Sequence, residues 1–234
     1  MTGGKWQVKG RLTACCSLPS ACFVFAPPSL TIRPMLRLSS KIPAAERRGR
    51  SFFARPTLAV ARDLLGQRLV RIWNGKRLAG LISETEAYIG EDDLACHARF
   101  GRTPRSQVMY SQPGHAYVYF TYGMHWMLNF VTEAEGFPAA VLVRAVLPRE
   151  GVEIMRQRRG APDAVLTNGP AKLAQGMGID KRLNGCDLCA GESTLFVEKA
   201  PPVPEAEVAC GPRVGLNHTP EPWRSKLNRG RVVL

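Results

Sequence analysis

The sequence predicts an α+β fold: a single domain with a mostly antiparallel, hairpin-rich β-sheet core surrounded by helices. Three observations point there. Short strand-like runs alternate with turn signals, above all Asn74-Gly75, whose two residues tolerate the positive φ of a tight hairpin. Helical spacing is confined to a few short segments. The 22 glycines and 18 prolines suit many turns better than a helix bundle, while a 45% hydrophobic composition over 234 residues suffices for one sizeable core.

The elements follow in order. Order is expected from about Phe52. Leu58, Ala61, Leu64 and Leu65 fall at helical spacing, with Gly66 as a natural stop. Gln67–Ile72 reads as a strand, Asn74-Gly75 reverses it, and the chain returns through Leu78–Tyr88. A loop rich in Gly, Arg and Asp leads to an aromatic strand, His115–Tyr122, then to a turn at Gly123 and a further strand, Trp126–Thr132. Ala139–Leu147 is apolar except for Arg144. Arg149–Arg159 reads as a helix, and Asn168-Gly169-Pro170 opens a short one, because proline suits a first helical turn. From Gly178 onward the signals are sparse and read as loop.

The net charge of +13 is unevenly placed: residues 1–54 carry nine Lys/Arg against one acid. Residues 1–51 therefore read as a disordered basic extension, a targeting segment, or sequence translated upstream of a start at Met35. The remainder is only moderately basic, so charge alone is weak evidence for a polyanionic partner. No run approaches the ~20 apolar residues of a membrane helix, so no membrane association is expected. Cys96, Cys186, Cys189 and Cys210, with three more in the extension, form no disulfide framework and fit a reducing compartment. Cys186 and Cys189 have zinc-knuckle spacing, but no second pair follows.

Chemistry is suggested first by the returning strand. Period two places Ile82, Glu84, Glu86 and Tyr88 on one face. A solvated edge would explain that pattern, were it not for Arg144. A guanidinium inside an apolar run needs a carboxylate partner, and Glu84 and Glu86 are the best placed. A carboxylate held that way stays ionised and can take a proton from water. Next come five aromatics in ten positions, Tyr117–Trp126, in which Tyr117 and Tyr119 share a face. Tyr122 falls at the turn, badly placed for a core and well placed to wedge into a partner.

Residues 82–89 (Ile-Ser-Glu-Thr-Glu-Ala-Tyr-Ile), His97, Thr103-Pro104-Arg105, Met109, 117–124 (Tyr-Val-Tyr-Phe-Thr-Tyr-Gly-Met), Asn129, 141–145 (Val-Leu-Val-Arg-Ala) and 168–173 (Asn-Gly-Pro-Ala-Lys-Leu) come in one order and spacing. Together they resemble the alkyladenine (3-methyladenine) DNA glycosylase family over roughly residues 52–216. The resemblance implies Glu86 as the general base, with Arg144 and the backbone carbonyl of Val214 helping to hold the attacking water. It implies a base pocket lined by Tyr88, His97, Tyr119 and Asn129, the last opposing the amino group of normal guanine. Tyr122 would fill the gap left by a flipped nucleotide. Arg102, Thr103, Met109 and Met124 fall at positions resembling DNA-contacting ones, and Lys172 and Lys181 resemble lysines that meet phosphates.

A monomer acting on double-stranded damaged DNA is thus expected, in the cytoplasm or nucleoid of a bacterium or the nucleus or an organelle of a eukaryote, and not secreted. No metal and no other cofactor is expected. No lysine takes a nucleophile's place in the matched motifs, so base release without strand cleavage is expected. The C-terminus after Trp223-Arg224 departs from the family pattern, which puts its packing in question. Two other classes stay open at this stage. Glu84, Glu86, Asp92, Asp93, His97 and His115 supply ligand types for a metal-dependent hydrolase, but in no compact motif. A non-catalytic DNA-binding relative is the other.

Overall fold

A computed structural model describes residues 46–233. The expected extension lies outside these residues, apart from Glu46–Ser51. Eight strands form one antiparallel sheet: β1 (Arg68–Trp73), β2 (Lys76–Ile89), β3 (Ala116–Thr121), β4 (His125–Val131), β5 (Ala139–Glu150), β6 (Leu195–Glu198), β7 (Val208–Gly211) and β8 (Arg229–Val232). The order is β3-β4-β5-β2-β1-β6, with β8 paired to both β2 and β7. Among the described residues four helices accompany it: α1 (Arg50–Phe53), α2 (Thr57–Leu64), α3 (Val152–Arg159) and α4 (Pro170–Met177). No described helix is long and apolar enough to cross a membrane.

The hairpin at Asn74-Gly75 forms as its residues require, with φ of 48° and 72°, and pairs Trp73 with Lys76. β2 is the hub. One edge pairs with β5; the other pairs with β1 through its first half and with β8 at Glu84–Glu86. α2 starts and stops where expected, although Leu58 points to solvent and Val60 takes its place in the core. Pro170 opens α4, and Gly178 closes it in the left-handed region.

Three expectations need correcting. β5 runs on to Glu150, so the helix expected from Arg149 begins at Val152, after Gly151 in the left-handed region. The region after Gly178 is not all loop: β6, β7 and β8 are four-residue strands whose partners lie far off in sequence. Ile82 does not share a face with Glu84. The register with β5 shifts between Ile82 and Glu84 and again before Thr85, leaving Ser83 and Arg144 out of the pairing. An extra residue turns the pleat over. Ile82 therefore joins Ala87, Val141 and Val143 in the main core, and Glu84, Glu86 and Tyr88 keep the opposite face.

That core packs the sheet against the helices through Phe53, Val60, Leu64, Leu128, Phe130, Leu173 and Met177. The other face is covered by the segment 91–114, with short 3-10 turns at His97–Phe100 and Gln107–Tyr110. There Cys96, Met109, Tyr110, Tyr117, Val131 and Ala140 make a second apolar cluster. Glu46–Arg48 runs beside β6: the Arg48 amide donates to Val197 at 2.8 Å and Glu46 accepts from Lys199 at 2.9 Å. The four described cysteines are free thiols.

Candidate active site

Between the sheet and the 91–114 segment lies a cavity of about 350 Å³. Its walls include Glu86 and Tyr88 from β2, His97, Tyr119 from β3, Asn129 from β4, Arg144 from β5, and Val214. Tyr122 stands at the mouth. Residues spread over more than 120 positions thus converge because β2, β5, β4 and β3 lie side by side in that order.

Glu86 sits at the inner end, with no measurable exposure. Its Oε1 accepts from the Val214 amide at 2.7 Å and lies 3.2 Å from Nη1 of Arg144; its Oε2 accepts from the Tyr88 hydroxyl at 2.9 Å. Oε1 is therefore saturated, and Oε2 keeps a lone pair. Burial pushes the carboxyl above its ordinary value of 4.5, against the pull of Arg144, Val214 and Tyr88. Arg144 also donates through Nε to Glu84 Oε1 at 3.0 Å. The guanidinium inside the apolar run thus meets both carboxylates.

The walls are aromatic. His97 packs edge-on to Tyr119 with centroids 4.6 Å apart and shares a 2.8 Å hydrogen bond with the Tyr117 hydroxyl. Burial, then Arg105 and Arg99, depress the imidazole to about 4, so it is neutral near pH 7. Burial likewise holds Tyr119 up at about 12, and Tyr88 well above its usual range. Asn129 is buried and donates through Nδ2 to the Tyr117 carbonyl at 3.0 Å.

The β3–β4 hairpin tip is strained and apolar. Tyr122 holds φ at 52°, is 80% exposed, and is followed by Met124 at 67%. A left-handed, solvent-facing tyrosine is costly for the fold alone. At the base of the tip the rings of Phe120 and Trp126 pack 4.6 Å apart.

The other expected positions fall as follows. Arg102 is exposed, its guanidinium 5.5 Å from the Tyr110 ring. Thr103 closes a turn on the Ser106 hydroxyl. Met109, at 2% exposure, lines the cavity. Lys172 donates to Asn168 Oδ1 at 2.9 Å beside the lining residue Pro170, and Lys181 is exposed. Val214 touches Glu86 through its amide. Among the described residues no three His, Cys, Asp or Glu side chains converge as a metal site. Asp93 is held by Arg213, and His115 by the Gln112 carbonyl.

Sequence reasoning gave no role to three residues around the cavity. Arg213 is fully buried, grips Asp93 at 2.5 and 2.9 Å, donates to the Ala87 carbonyl, and lies 4.7 Å from the Tyr88 ring centroid. It fixes Tyr88 from behind. Arg105 lies 5.1 Å from the Tyr119 ring and donates to the Phe120 carbonyl at 3.1 Å. Tyr117 carries His97. None of these pairings has a local signal, although Tyr117 itself stood out in the aromatic strand.

The sequence profile of the methylpurine-DNA glycosylase family matches residues 51–230. A protein of Methanocella arvoryzae named "Putative 3-methyladenine DNA glycosylase" is 53% identical over 183 residues, 75% of this chain and 89% of its own length. Proteins of the same name from Carboxydothermus hydrogenoformans and Myxococcus xanthus are each 48% identical, covering 79% and 74% of this chain and 96% and 86% of their own lengths. The chain belongs to the methylpurine-DNA glycosylase family, and is with it a DNA glycosylase.

Proposed function

We propose that this enzyme draws an alkylated or deaminated purine (3-methyladenine, 7-methylguanine or hypoxanthine) out of double-stranded DNA and hydrolyses its N-glycosidic bond in base excision repair. Water activated by Glu86 is the nucleophile. The observation that carries the reading is a buried carboxylate with one free lone pair at the inner end of an aromatic-walled cavity, under a solvent-facing tyrosine.

The steps follow from those groups. Extruding a base costs a few kcal/mol, less for a damaged or mispaired one. Tyr122 entering the emptied stack slows its return. Stacking between Tyr119 and the Tyr88/His97 side supplies ~1–3 kcal/mol per base, comparable to that cost. A purine made cationic by alkylation gains further from these electron-rich rings, and the neutral imidazole of His97 does not repel it. Asn129 discriminates against the amino group of normal guanine. Water takes the lone pair of Glu86 Oε2 that the Tyr88 hydroxyl leaves free. Oε2 takes the water's proton while Arg144 and the Val214 carbonyl hold the oxygen in line with the sugar carbon. General-base assistance of this kind is worth ~10²–10⁴ in rate. The bond to an alkylated, cationic purine needs it less than the bond to hypoxanthine. The protein acts as a monomer, without metal and without cleaving the strand.

The test is base release from a panel of lesion-bearing duplexes by the parent and Glu86→Gln. Release of hypoxanthine is expected to fall at least ~10²-fold in the variant, with binding to the lesion duplex retained. Equal release by both proteins sinks Glu86 as the base.

A further inference from the structure

Resting on that reading, we propose that Glu84 is a positioning residue for Glu86, dividing the guanidinium of Arg144 between two carboxylates so that the catalytic one is not held fast. The observations form a line of alternating charge. Arg229 Nε lies 3.5 Å from Glu84 Oε1; the same oxygen accepts from Arg144 Nε at 3.0 Å; Arg144 Nη1 lies 3.2 Å from Glu86 Oε1. Exposure falls along it, from 25% for the Arg229 side chain through 20% and 14% to 0% for Glu86. The shorter contact of Arg144 goes to the carboxylate that does no chemistry.

This arrangement is built, not incidental. Regular alternation from the cavity-lining Glu86 and Leu142 puts Glu84 and Arg144 on the cavity side of the sheet, and the register shifts at Ser83 and Arg144 fall beside them. β8 then pairs across Glu84–Glu86, with Gly230 opposite Thr85, and brings Arg229 to the outer end of the line. A guanidinium given wholly to Glu86 as a two-pronged fork would fix both its oxygens and hold it as a firmly ionised, weak base. Sharing leaves Oε2 available. The other groups facing Glu86 are the Tyr88 hydroxyl from its own strand, the Val214 amide, Tyr119 from β3, and Arg213, which lies behind the Tyr88 ring and is matched by Asp93. Of these only Arg213 is charged near neutral pH, and it does not touch Glu86. The charged groups acting on Glu86 are accordingly Arg144 and Glu84, and Arg229 acts through Glu84.

Neutralising Glu84 removes a negative neighbour and releases Arg144 to Glu86. Neutralising Arg229 leaves Glu84 with Arg144 as its only cation. The two changes push Glu86 in opposite directions. The experiment is kcat/KM against pH for hypoxanthine release from a defined duplex, using the full chain as parent, Glu84→Gln, Arg229→Gln and Glu86→Gln. For Glu84→Gln the acid limb is expected to move to lower pH by about half a unit or more. Its plateau should fall about two- to ten-fold as the base weakens, with KM within about two-fold of the parent. For Arg229→Gln the acid limb is expected to move to higher pH. A Glu84→Gln limb that overlays the parent's, or the same direction of movement in both variants, overturns the inference while leaving Glu86 in place. Undiminished release by Glu86→Gln instead brings down the assigned base, and the inference with it. Should Glu84→Gln fail to fold, the substitution of the partly exposed Arg229 decides alone.

Discussion

Glu86 weakens the fold it serves. Its carboxyl is buried and titrates above its ordinary value of 4.5, so the folded protein binds that proton more tightly than the unfolded chain does. Stability from this group is complete below about pH 4.5 and is lost as pH rises through the elevated folded value. Glutamine does not titrate, can accept from the Val214 amide with its carbonyl oxygen, and can hydrogen-bond Tyr88 with its amide. The melting temperature of Glu86→Gln minus that of the parent should therefore become more positive from pH 4 to pH 7. A difference that stays flat across that range would show that the carboxyl titrates alike in both states. The same residue scale explains what the sequence could reveal. Glu86 and Arg144 were legible because an arginine in an apolar run demands a partner. Arg213 and Asp93 were not, because a mutual partner 120 positions away leaves no local trace.

Among the elements, the β3–β4 hairpin carries the clearest conflict between stability and use. Tyr122 holds a left-handed backbone that glycine would adopt at no steric cost. Tyr122→Gly should thus melt no lower than the parent, and up to ~1–2 kcal/mol of strain is available to be relieved. Its affinity for a lesion duplex and its rate of base release should nevertheless drop, measured by gel shift and by the release assay. Unchanged affinity would remove the tip from the interface. The hairpins, α2 and α4 were legible because each is fixed locally, by Asn74-Gly75, by helical spacing or by proline at a first turn. β6, β7 and β8 were not. Four residues carry too little pattern to declare a strand, and their hydrogen bonds go to β1, β2 and each other. The face of Ile82 was misread for a related reason: alternation cannot register an extra residue that exists only in the pairing.

Across the whole molecule, the Arg213–Asp93 pair joins parts that no single element connects. Arg213 reaches the Ala87 carbonyl on β2 and the Trp223 carbonyl, and Asp93 accepts from the amides of Ile89 and Ala95 on the approach to His97. Both side chains are almost wholly buried. Removing one partner leaves an uncompensated charge inside the protein, a loss of roughly 3–5 kcal/mol. Asp93→Ala should accordingly melt roughly 10 °C lower, as followed by circular dichroism. A drop of only a degree or two would mean that the pair is not what holds the sheet, the 91–114 segment and the C-terminal residues together. The expected α+β, sheet-centred architecture is the one found, since overall layering depends on patterns summed over many residues.

The packing of Trp126 on Phe120, just behind the hairpin tip, has an optical consequence. Its indole is the one fluorophore of that kind on this hairpin; Trp73 ends β1 against Arg158, and Trp223 lies under Lys226. With Trp6, Trp73 and Trp223 replaced by phenylalanine, quenching of the remaining hairpin emission would time the docking of a duplex on the tip. Comparison with the appearance of free purine would then separate arrival from bond breaking in a single stopped-flow trace.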